Sequence, residues 1–326
     1  MSNIPVSDLG NPELGAEHDE IGPLVVGHDH RGLRTRLLRE FRASLDVARI
    51  AAANSSNDLA TAVHDYRRAL RRARALVDVV SAKLPKHERK SILEALRDAR
   101  GALSVARDHA VAPGVLAAMP LGEPERLVAN DVLRAARDAA PTEADTEMLL
   151  REGAARAVAQ ADALEAALPV FDERVVFAGM ANTYRKARRA RRGAKRSMSQ
   201  FHRFRRRLKE LAYQFELVAE LGGARLQTLK DGYTGISVTC GEVADLHMVR
   251  EFVATYGGPR NTDALEGLDV ALVAQIRDGA IAQRKASRDL FGFRGKKFAK
   301  KLARALRKDL APATGPVEGN DPGDSD

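Results

Sequence analysis

The chain has a single cysteine, Cys240, and no tryptophan. One thiol excludes an internal disulfide and any multi-cysteine metal site, and it fits a reducing compartment. Aromatic residues make up only 5% of the sequence, so few rings are on hand to stack nucleobases. No apolar run reaches the ~18 residues a membrane span needs. No basic stretch followed by an apolar run marks the N-terminus as a secretory signal. A soluble, cytoplasmic protein is expected. Sustained period-two alternation is also missing; residues 236–239 come nearest and are short. Acid is missing from two long stretches. Residues 184–209 hold thirteen Lys or Arg and no Asp or Glu, and residues 294–308 hold eight and none.

What is present is charge and helical rhythm. The 326 residues carry a formal net charge of +9, which favours an anionic partner. Acids without Lys or Arg gather at the ends, in residues 1–20 and 309–326, so the interior is more basic than the total suggests. The hydrophobic 44% leans on Ala, Leu and Val, suited to closely packed helices. Residues 1–26 and 309–326 read as flexible acidic tails around an ordered region, 27–308. Helices are predicted from near Leu33 to a break at 54–57, then through His64 to Leu84-Pro85 after a cap at Asn57 or Asp58. A third is predicted over 86–112, stopped by Pro113-Gly114, and further helix over 126–168, broken near Pro141. The second half repeats this plan: helices over about 173–195 and through His202 to Leu221-Gly-Gly. Another follows over 224–256 with a break at Asp231-Gly232, and a last over 265–309 with a kink near Gly292 and Gly295. The expectation is an all-α fold with two tandem helical bundles, in halves of about 30–168 and 172–308.

The halves share an unusual motif. His64-x-x-Arg67-Arg68-x-x-Arg71 recurs 138 positions later as His202-x-x-Arg205-Arg206-x-x-Lys209. At about 100° per residue, the three cations of the first copy fall within about 60° of His64. Leu70, Ala73, Leu76 and Val77 fall opposite. In the second copy Tyr213 joins the cationic face, and Phe204, Leu208, Leu211 and Phe215 lie opposite. A duplicated cationic stripe on a duplicated amphipathic helix points to a surface that holds a polyanion. Acids repeat too, at Asp108 and Asp245, 44 and 43 positions after the respective histidines.

These residues resemble the CHAD family, the conserved histidine α-helical domain. The two histidine helices, Leu103-Ser-Val-Ala-Arg107-Asp108, Gly241-Glu-Val-Ala-Asp245, Glu216 and the 290–298 stretch carry the resemblance, which covers about 30–308. It implies two four-helix bundles related by a pseudo-two-fold axis, with a basic central groove or pore lined by the His/Arg helices. It also implies binding of inorganic polyphosphate, and association with polyphosphate granules. CHAD domains are often fused to a triphosphate-tunnel catalytic domain with a Glu-x-Glu-x-Lys strand motif. No such motif occurs here, so that hydrolase activity is not implied.

Polyphosphate suits the composition because it presents closely spaced negative charge and no bases. Arginine forks match phosphate oxygens in pairs. The candidate polyphosphate-binding residues are His64, Arg67, Arg68, Arg71, Arg72 and Arg107 in the first half. In the second they are Arg188, Arg191, Lys195, His202, Arg205, Arg206, Lys209, Tyr213 and Lys297. No catalytic residue, metal ligand or cofactor is assigned. Against this stands the plain alternative that a basic stripe is a solvated helix face; duplication in register argues against it. Asp108 and Asp245 read as structural partners of arginine, His87, His109 and His247 as surface or local packing residues, and Cys240 as an inert buried thiol. A metal-dependent phosphohydrolase or metal-binding protein is the second reading, disfavoured by the arginines around both histidines. Nucleic-acid binding is the third, with no helix-turn-helix or zinc-finger spacing behind it.

Overall fold

The computed structural model describes residues 30–219, 224–258 and 262–309; the expected tails, apart from Asp309 at the end of the last helix, and Leu221-Gly-Gly lie outside the described residues. Those described form an all-helical fold without a strand. In the first half these are α1 (His30–Ala53), α2 (Leu59–Val79), α3 (Lys86–Gly101), α4 (Ser104–Ala118), α5 (Glu123–Asp138), α6 (Glu143–Val158) and α7 (Gln160–Ala167). In the second they are α8 (Glu173–Gly193), α9 (Met198–Ala219), α10 (Ala224–Tyr256), α11 (Thr262–Ala286) and α12 (Gly295–Asp309), with a short 3-10 turn at Asp289–Phe291. Shifted back by 138 positions, α8, α9 and α11 fall on α1, α2 and α5, and α10 falls on α3 and α4 together.

Local chemistry explains the boundaries. Asp58 caps α2 by accepting the Thr61 N–H at 3.0 Å. Pro113 does not end a helix; it sits inside α4. The break predicted there falls instead at residues 102–103, where Ser104 Oγ turns back to the Gly101 carbonyl. The break expected at Asp231-Gly232 is absent, and α10 runs through it. Gly232 serves close packing: a Cβ there would lie 3.2 Å from Leu290. The kink expected near Gly292 and Gly295 is a full interruption between α11 and α12.

Two buried clusters organise the interior. The larger joins α1, α2, α3, α6 and α7 to α8, α9, α12 and parts of α10 and α11. The halves meet where α2 packs on α8 and α9. Gly179 of α8 lies so close to the Val79 carbonyl that any Cβ would collide with it, which is why a glycine stands there. The fully buried Gln214 ties α9 to α2 through the Ala75 carbonyl at 3.2 Å. The apolar faces sort as expected: Leu70, Ala73, Leu76 and Val77 are buried, and so are Phe204, Leu208, Leu211 and Phe215. Each large side chain contributes roughly 1.5–3 kcal/mol on burial. That burial turns the polar faces of α2 and α9 toward one common space. The second cluster is made by α4 and α5 of the first half against α10 and α11 of the second, through Leu116, Val128, Val132, Phe252 and Leu272 among others. No helix among the described residues is long and apolar enough to cross a membrane.

Candidate functional site

The polar faces of α2 and α9 enclose a groove of about 840 Å³. Arg67, Arg71 and Arg74 enter it from α2, Arg100 from α3 and Arg107 from α4. His202, Arg203, Arg205, Arg206, Arg207, Lys209 and Tyr213 enter from α9, and Lys186 and Arg189 from α8. The lining thus holds twelve Lys or Arg against three acids, Asp78, Glu210 and Asp245. All three acids are engaged with arginine. Asp78 lies 3.8 Å from Arg74 Nε, and Glu210 accepts from Arg207 Nη1 at 2.6 Å. Arg107 donates to Asp108 at 2.9 Å and makes a short contact to Asp245. Among the described residues, the acids of the lining are too few to neutralise its positive charge.

Unneutralised charge this dense carries strain. Two like charges about 5 Å apart repel by about 3 kcal/mol at an effective dielectric of about 20. Burial, then the neighbouring arginines, depress Arg67 and Arg71, although a guanidinium stays charged. Lys209 is brought down to about 8 by burial and by Arg71 and Arg205. His202 falls to about 4 through burial, then His247, Arg205 and Arg206. Its ring meets His247 edge to face at 4.6 Å between centroids. His64 is also lowered, by desolvation first; Asp65 opposes, while Arg68, Arg71 and Lys209 add to the fall. Arg107 is the exception: burial lowers it, but Asp245 and Asp108 prevail and raise it.

Geometry fixes how donors point. Arg67 Nη1 donates to the Arg100 carbonyl at 2.7 Å and Arg71 Nε to the Arg67 carbonyl at 3.1 Å. Each leaves further N–H groups for an anion. Two buried polar atoms of the lining, Tyr213 Oη and Arg205 Nε, have no hydrogen-bond partner among the described residues. Tyr213 is only 8% exposed. A buried, unpaired hydroxyl is costly, and here a phosphate oxygen in the groove could accept from it.

Most expected residues converge. Arg67, Arg71, Arg107, His202, Arg205, Arg206, Lys209 and Tyr213 line the groove. His64 is exposed beside it, and Arg68 is exposed and 3.4 Å from Asp65. Neither His64 nor Arg68 is part of the lining, and five more expected residues lie elsewhere. Arg72 is engaged by Glu216 at 2.9 Å, Glu40 at 2.7 Å and Ser44 at 3.3 Å. Arg188 and Arg191 lie on the face of α8 that carries Tyr184, roughly 100–160° round from Arg189 and Lys186. Arg188 donates to the Phe291 carbonyl at 3.1 Å, and Arg191 to Ser287 Oγ at 2.9 Å and to the Arg284 carbonyl. Lys195 is exposed in the turn after α8, and Lys297 is exposed on α12 with its ammonium 5.5 Å from the Phe293 ring. Arg72→Ala strands two part-buried carboxylates without their charged donor. It should lower stability by about 1.5–3 kcal/mol, read as a lower urea midpoint at unchanged slope.

Other lining residues escaped the motif. Arg74 continues the α2 stripe one turn past Arg71 and was readable from spacing. Lys186 and Arg189 lay in the acid-free run, but their face could not be chosen without knowing what α8 packs against. Arg100 comes from another helix and left no local signal. His247, expected as a surface or local packing residue, packs edge to face on His202 of the lining and lies 3.7 Å from Glu251. A family model described as the CHAD domain matches residues 36–254. No curated protein matches the chain.

Proposed function

The chain belongs to the CHAD family, and on that premise we propose that it binds inorganic polyphosphate in the α2/α9 groove without consuming it. The observation that carries this reading is the lining: twelve cations to three already-engaged acids, with five of the cations supplied by the two copies of one motif. A base-free polyanion fits better than nucleic acid, because no Phe or Tyr among the described residues is exposed to stack a base. A metal-dependent hydrolase is disfavoured by the cations that crowd His202, since a bound metal ion would sit among Arg205, Arg206 and Lys209. The reading includes two four-helix bundles about a pseudo-two-fold axis, with α2 and α9 as equivalent walls. The 138-position register of the helices supports that symmetry. It also includes a cytoplasmic protein held on polyphosphate granules.

Titration with long-chain polyphosphate in the presence of a chelator tests the proposal. Tight binding is expected, weakening about a thousandfold or more between about 50 and 200 mM salt, by analogy with counterion release from nucleic acids. Phosphate release should stay at background. A requirement for divalent metal, indifference to salt, or equal competition by DNA at matched phosphate concentration would overturn it.

A further inference from the structure

The basic surface continues past the groove. Lys186 and Arg189 line the groove, and Arg185 and Arg192 project from α8 a fraction of a turn away, both exposed. Arg185 lies directly against the start of α12: a Cβ at Gly295 would collide with its stem. From there Lys296, Lys300 and Arg304 follow at four-residue intervals along α12, all exposed. The helix that carries them is firmly seated. Phe298 stacks on Tyr184 at 4.0 Å, Leu302 and Ala305 are buried, and Arg188 holds the Phe291 carbonyl at its entry.

Elsewhere on this protein, exposed arginines sit beside acids one turn away, as in Arg49 with Asp46, Arg134 with Asp131 and Arg151 with Glu147. On the ridge this lacing is absent. Residues 184–209 and 294–308 contain no acid at all, so Lys296, Lys300 and Arg304 meet only like charge along their own face. Phe293, the one ring beside the ridge that is not fully buried, is covered by the Lys301 ammonium at 3.7 Å. A polyanion without bases is the partner this surface suits.

We infer that the α8–α12 ridge is a second contact stretch, continuous with the groove, on which a polyphosphate chain too long for the groove is laid down. This rests on the polyphosphate reading of the groove. Its consequence is a binding surface that gains with chain length after the groove is full.

The test is the triple variant Lys296→Gln, Lys300→Gln and Arg304→Gln, which removes charge from an exposed face while keeping good helix formers. Wild type and variant are titrated with long polyphosphate and with a short chain that fills only the groove. The expected result is a roughly tenfold loss for the long chain, with a log–log salt slope shallower by about 2–3, and no change for the short chain. An unchanged long-chain affinity and slope would overturn the inference. So would equal losses for both lengths, which would mean only a weakened overall field. Failure of the underlying reading looks different: the wild type itself would bind neither chain.

Discussion

Alanine at Arg67, Arg68 and Arg71 should lower polyphosphate affinity by roughly a hundredfold to a thousandfold, and alanine at Arg205, Arg206 and Lys209 should do the same. Charge-assisted hydrogen bonds contribute about 1.5–3 kcal/mol each, so three lost cations reach this range even if one of them is minor. Arg68 is the minor one here, being exposed and already beside Asp65. Both triples act on one space, since Arg67 and Arg71 line the same groove as Arg205, Arg206 and Lys209. A chain held by one stripe meets the other at high effective concentration, so losing either stripe forfeits that advantage. The six-fold variant should retain little affinity. Long chains should also bind far better than tripolyphosphate. Helicity should hold, because the apolar faces of α2 and α9 are untouched and alanine favours helix. Normal binding by either folded triple, or tripolyphosphate binding as well as long chains, sinks the shared groove. Simple additivity of the two losses would mean two separate sites.

The second large effect is on pH. Lys209 lies at about 8 because it is buried among Arg71 and Arg205; a phosphate oxygen beside it should return it toward or above its ordinary value. The complex then holds a proton the free protein has lost. Affinity should therefore fall as pH rises through 8, by up to about tenfold per pH unit, as one linked proton requires. His202, held at about 4, acts on the acid side: an anion raises it, so affinity should climb as pH falls below the ordinary histidine value. Stability of the free protein runs the other way at high pH. The unfolded chain keeps the Lys209 proton up to about 10.5, so between 8 and that value folding releases it and stability gains with pH. Calorimetric titration just above pH 8 in two buffers of different ionisation enthalpy measures the proton directly. Wild type should take it up, and Lys209→Arg, charged throughout, should not. No uptake by wild type, or equal uptake by both, would remove Lys209 as the linked group.

The sequence made the site's core legible because its signal is local and periodic. His202, Arg205, Arg206, Lys209 and Tyr213 share a face by helical arithmetic alone, and α9 presents the last four and His202 to the groove. Asp108 and Asp245 were readable as partners of arginine; that both would converge on Arg107 was not. Arg72 shows the limit. Next to Arg71 in sequence, it belongs to a neighbouring face that Glu40 and Glu216 occupy, and both lie on other helices. Arg188 and Arg191 fail for the same reason: a basic run says that cations are present, while the packing of the aromatic residues of α12 and its entry decides which ones turn inward. Glycines and Pro113 misled on helix ends, since Gly232 is there for Leu290 and Pro113 was absorbed within α4.

The pairing of α4 and α5 with α10 and α11 sets a timetable for synthesis. Leu116, Val128 and Val132 leave the ribosome well before Phe252, Leu268 and Leu272, with which they form one buried cluster. At translation rates of about 5–20 residues per second, the gap is on the order of 10 s. Throughout that interval the apolar side of the α4–α5 hairpin has no partner from its own chain, and a nascent first half is exposed to aggregation or chaperone capture. A ribosome stalled between α5 and α10 would display that face for as long as the stall lasts.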